Sequence, residues 1–217
     1  VGEYTDIKSA LKILKAHEKT LIELCMAMMN ADGGTIFTLD MMAMGAVNRS
    51  LAQIRGFIAM IESKNYLCAA PLIRLQLDVA LRFQAAWLVE KPHAFAQDVW
   101  NGVPVRKLKD RNGNKMTDHY LLEKLTERHP WVKRVYKNTS GFIHHSEKHF
   151  YTFFGDVKSE SSDRATTKVQ ISSCPEFSDG LYLELIRAFI AATEIFAWYL
   201  RGWTETKISK AQERPMA

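Results

Sequence analysis

Cysteine is scarce in this 217-residue chain: Cys25, Cys68 and Cys174 are odd in number and set far apart, which supports no disulfide framework and no paired-cysteine metal motif. That usage fits a reducing compartment, and the expected location is the cytoplasm. Proline is absent before Pro71, so the first 70 residues contain none of the strongest helix breakers. Long uninterrupted apolar runs are missing as well. The two most apolar stretches, 69–89 and 181–200, carry Arg74, Asp78 and Arg82, and Glu184, Arg187 and Glu194. A bilayer centre would penalise those charges, so no membrane span is expected. The opening VGEYTDIKSALK has no apolar signal core behind a basic start. There is no GxGxxG, no phosphate loop, no HExxH, no CxxC and no GxSxG. These absences remove many enzyme classes and leave neither a cofactor nor a metal to be expected.

What is present is the composition of a folded globular domain, 47% hydrophobic and 24% charged, in a length that suits one domain over residues 1–207 and a polar tail at 208–217. The net charge of +5 is unevenly placed. Residues 105–149 hold eleven lysines and arginines against five acidic residues, a balance of +6, so the rest of the chain sums to −1. Five of the seven histidines fall in the same window. Such a segment can attract polyanions, and the plainer expectation is a solvated helical surface with a flexible loop.

Hydrophobic periodicity predicts long helices. Leu11, Leu14, Leu21, Cys25 and Met28 follow helical spacing from Ile7, with Thr5 or Asp6 as cap and Asp32-Gly33-Gly34 as stop. A second helix opens near Thr38 to Asp40 and carries Val47, Leu51, Ile54, Ile58 and Ile61, with Arg49 on an opposite row. A third is predicted to open near Pro71 and run to Val89. Shorter helices follow at 94–100, from Thr117 or Asp118 to about Arg128, and after His129-Pro130. FYTFF and TKVQIS, flanking the polar run KSESSDRA, read as a hairpin or a long loop over 149–173. The last helix, with Tyr182, Ile186, Phe189, Thr193, Phe196 and Leu200 on one row, is expected at the centre of an all-α, up-and-down bundle whose only insertion precedes it.

Two polar constellations stand out. Arg74, Asp78 and Arg82 are spaced by four on the third helix and can form a ladder. It is either an ordinary surface row or, given the apolar neighbourhood, a buried set whose charges need partners. The second is YKNTSGFIHHSEKHF, 136–150. As a helix it would stack Ser140 with His144 and His145 with His149. A histidine there serves as an acid or base, as a core hydrogen-bonding group, or, with His145 and His149, as a metal ligand.

The pairing of PLIRLQLDVAL with KNTSGFIHHS resembles the HEPN superfamily of prokaryotic helical-bundle proteins, many of which are metal-independent endoribonucleases that work as homodimers. The resemblance implies a cytoplasmic ribonuclease of a toxin or phage-defence type, with RNA as substrate and an antitoxin or another protein as partner. By that likeness His144 is the general base and Lys137 the phosphate-neutralising cation, standing where the family usually has arginine. Arg74 assists it, Asp78 orients His144 or Arg74, and Asn138 and Ser140 supply hydrogen bonds. The rival expectation is a non-catalytic helical module that binds RNA, a nucleotide or a protein.

Overall fold

The computed structural model describes residues 5–143, 146, 158–161, 164–166 and 177–213. Long helices α1 (Ile7–Asn30), α2 (Thr38–Glu62) and α3 (Tyr66–Leu88) lead to the shorter α4 (Pro92–Trp100), α5 (Asp118–Thr126) and α6 (Trp131–Ile143), and then to α7 (Asp179–Gln212). The architecture is the expected all-α bundle. Local chemistry sets its boundaries. The Asp6 carboxylate accepts the Ser9 N–H at 2.9 Å and caps α1. After α1, Gly33 and Gly34 take φ of 63° and 82°, a region that suits glycine. Phe37 offers α2 no side-chain acceptor, and Asp40 reaches back to take the Phe37 N–H at 2.8 Å.

α3 begins earlier than Pro71. Asn65 accepts the Cys68 N–H at 3.1 Å and starts the helix at Tyr66, which leaves Pro71 in the second turn. The proline φ is already helical, so the helix continues past it with one backbone donor missing.

The core is organised around α7, which packs most extensively on α1 and α3. Tyr182, Ile186, Phe189, Thr193, Phe196 and Leu200 are all buried, and so are Leu185, Ile190, Ala192 and Ile195 from other rows. Phe57 stacks on Phe189 at 4.3 Å, and Phe83 meets Phe196 edge-on at 5.4 Å. Each such apolar side chain contributes roughly 1.5–3 kcal/mol by leaving water.

The helix does not end at Lys207. Residues 208–212 continue it, where the sequence suggests a frayed tail. Lys207 explains the extension. Its ammonium is buried, donating to Asp40 Oδ2 at 2.8 Å and to the Met28 carbonyl at 2.9 Å, while Trp203 Nε1 donates to Asp40 Oδ1 at 2.7 Å. This cluster joins the last turn of α1, the first turn of α2 and α7, and it meets the negative end of one helix and the positive end of another with opposite charge.

Before α7, Lys158–Ser161 (β1) pairs antiparallel with Arg164–Thr166 (β2). This pairing falls on the polar run, whereas FYTFF and TKVQIS lie outside the described residues. No helix among the described residues is long and apolar enough to cross a membrane.

Candidate functional site

The α3 ladder forms as the spacing predicts, and it recruits neighbours. Asp78 Oδ1 lies 3.6 Å from Arg74 Nη1 and 3.3 Å from Arg82 Nε. From α2, Arg49 Nη2 stands 3.9 Å from Asp78 Oδ2. Asp118, the first residue of α5, lies 3.6 Å from Arg74 and also hydrogen-bonds Arg82. α6 closes the set through Tyr136, whose hydroxyl accepts from Arg74 and whose ring lies under the Arg74 guanidinium, 3.7 Å from its carbon. Four helices thus meet at one ionic cluster.

Three guanidiniums face two carboxylates, so the cluster keeps one excess positive charge. Its members are graded in burial, with side-chain exposures of 11% for Arg74, 20% for Asp78 and 52% for Arg49. Burial raises the Tyr136 pKa, with Arg74 acting against it and Asp118 and Asp78 adding to it, so the phenol stays neutral. Between α2 and α3 a cleft of about 170 Å³ is lined by Arg49, Asp78 and Arg82 together with Met42, Ala46 and Phe83. Arg82 Nη1 is buried with no acceptor among the described residues.

On α6 the candidates separate. Ser140 Oγ donates to the Tyr136 carbonyl at 2.7 Å, so its proton is spent on its own helix. Lys137 and Asn138 are exposed. His144 lies outside the described residues, as do His145 and His149. Among the described residues no three histidine, cysteine, aspartate or glutamate side chains converge as a metal site requires. The cluster therefore unites Arg74 and Asp78 with Arg49, Arg82, Asp118 and Tyr136, and the exposed Lys137 follows Tyr136 directly. Arg49, Asp118 and Tyr136 carry no sequence signal for this role. Their partners lie far away in the chain, 62 residues for Arg74 with Tyr136 and 36 for Arg82 with Asp118.

The chain matches no protein-family model, no curated protein and no solved structure.

Proposed function

We propose that the protein is a metal-independent endoribonuclease whose reacting groups belong to the C-terminal half of α6 and the residues just after it. The observation that carries this reading is the tie between Arg74 and Tyr136, which fixes α6 against the α3 ladder one residue before Lys137. In this reading the ladder is a frame. Arg74 and Asp78 set the position of α6, and the exposed Lys137 and Asn138 face the substrate.

The His144 imidazole takes the proton of a ribose 2′-hydroxyl, and the oxygen attacks the adjacent phosphorus. The new P–O2′ bond forms as the P–O5′ bond breaks, and the departing 5′-oxygen takes a proton from water. The Lys137 ammonium neutralises charge that grows on the phosphate oxygens. The nucleophile belongs to the substrate, so no metal-bound water is needed. The HEPN resemblance extends the proposal to a homodimer in a toxin or phage-defence setting, with an antitoxin-type partner.

A second reading, a non-catalytic RNA-binding module, is favoured by the neutralisation of Arg74. Asp78, Asp118 and Tyr136 together use its guanidinium, as they would in a purely structural network. The test is incubation of the parent protein with single-stranded RNA in EDTA. The ribonuclease reading predicts fragments ending in a 2′,3′-cyclic phosphate, and binding without cleavage under every condition would leave the module.

A further inference from the structure

The segment between α4 and α5, VPVRKLKDRNGNKMT, reads in sequence as a charged, flexible loop. The fold holds it tightly instead. The buried carboxylate of Asp110 accepts from Asn112 N at 3.0 Å, Asn114 N at 2.8 Å, Asn114 Nδ2 at 3.2 Å and the Tyr120 hydroxyl at 2.5 Å. Burial works to raise the Asp110 pKa, but those bonds outweigh it and hold the carboxyl below its ordinary value. Gly113, at φ 85°, makes the turn, and Lys109 and Lys115 face each other across an antiparallel bridge.

Arg111 then fastens the loop to the end of α3. Its backbone N–H donates to the Leu88 carbonyl at 2.9 Å. Its guanidinium reaches the carbonyls of Trp87, Leu88 and Val89 at 2.6, 3.2 and 3.2 Å. These are carbonyls that a helix end leaves without partners. Val105 and Met116 anchor the two ends of the loop in the core.

The loop's own exposed charges are of one sign, and the exposed acids Glu90 and Asp98 of the flanking elements line a cleft with Lys109 and Arg111. Arg106, Lys107, Lys109 and Lys115 are exposed, and none has an ion-pair partner among the described residues. The one acid of the loop, Asp110, is turned inward. Like charges opposite one another across a bridge are destabilising, so Lys109 and Lys115 oppose the fold that holds them. A polyanion would relieve that repulsion. Trp100, 64% exposed, ends α4 five residues before Val105. Exposed cations on a segment that directly follows an exposed aromatic ring in the chain supply the elements of a single-strand site, in which phosphates meet the charges and bases stack on the ring.

We propose that this fastened loop and Trp100 form a sequence-independent binding site for single-stranded RNA. It lies roughly 20 Å along α3 from Arg74, from the helical rise over the residues between Arg74 and Leu88. The choice of RNA rests on the ribonuclease reading above. An acidic protein partner fits less well, because protein interfaces exclude lysine from their centres and use apolar anchors. The exposed residues from Arg106 to Lys115 are cations, asparagines and a glycine.

The experiment measures binding of a short mixed-sequence single-stranded RNA to the full chain across a range of salt concentrations, in a His144→Ala background that keeps the RNA intact. Lys109→Gln with Lys115→Gln should weaken binding and flatten the slope of log K against log salt by about 0.7 for each cation removed. Trp100→Ala should weaken it roughly five- to hundredfold, and Trp100→Phe should keep most of the affinity. Loss of binding in these variants supports the site, even if the parent never cleaves RNA and the ribonuclease reading falls. Unchanged affinity and slope would overturn the site while leaving the ribonuclease reading to stand on cleavage. Competition by polyglutamate as strong as by RNA would also overturn it, in favour of an acidic protein.

Discussion

Asp78 holds the central position among the charged side chains of the ladder. It faces Arg74, Arg82 and Arg49, and with its carboxylate removed Arg74 and Arg82 would share Asp118 while Arg49 would lose the carboxylate it faces. The charge left undercompensated is chiefly that of Arg74, the most buried member, which costs about 3 kcal/mol. Asp78→Ala should therefore lower the melting temperature by roughly 6–12 °C for a domain of this size. A melting temperature equal to the parent's would place the ladder outside the stabilising interactions of the fold. The spacing of four made Arg74, Asp78 and Arg82 legible as a row, because that relation is local. The identity of the fourth, fifth and sixth members was not legible. Nothing within a turn of Asp118 or Tyr136 announces an arginine dozens of residues away, and Arg49 reads as one more exposed charge on an amphipathic helix.

At the scale of elements, helix faces follow from sequence wherever the period is local and caps are strong, as in α1 with Asp6 and in the central row of α7. The start of α3 lies upstream of the louder signal, Pro71, because the Asn65 side chain takes the Cys68 N–H and caps the helix. The continuation of α7 past Lys207 is not legible, because residues 208–212 are polar and the anchor at Lys207 depends on Asp40, from a different helix. The loop before α5 held a readable clue in Asp110 and Asn112-Gly113. A carboxylate two and four residues before backbone donors can organise a turn.

The α5–α6 junction has its own titration. Burial, and then Arg128, lower the His129 pKa below the ordinary 6.5. The folded state disfavours the protonated ring, so the stability His129 contributes is fully present above about pH 6.5 and is lost as pH falls below that value. Melting temperature should accordingly fall between about pH 7.5 and pH 5.5, and His129→Gln should narrow that fall. An identical pH dependence in the variant would show that the ring titrates alike in the folded and unfolded chains.

At the scale of the molecule, a central apolar helix and two ionic clusters divide the work. Asp40 with Lys207 locks α1, α2 and α7 at one place, and the α3 ladder locks α2, α3, α5 and α6 at another. The second lock leaves Lys137 exposed beside a rigid frame and gives the bundle its candidate chemistry. The most direct test compares parent, His144→Ala, Lys137→Ala and Lys137→Arg in single-turnover cleavage of single-stranded RNA in EDTA, with helix content checked by circular dichroism. The predicted result is a 2′,3′-cyclic phosphate product from the parent, none from His144→Ala with its fold intact, a slower reaction from Lys137→Ala, and a rate at or above the parent's from Lys137→Arg, whose planar fork holds a phosphate with two bonds. Cleavage at the parental rate by His144→Ala, or activity that disappears in EDTA and returns with a divalent metal, would contradict it.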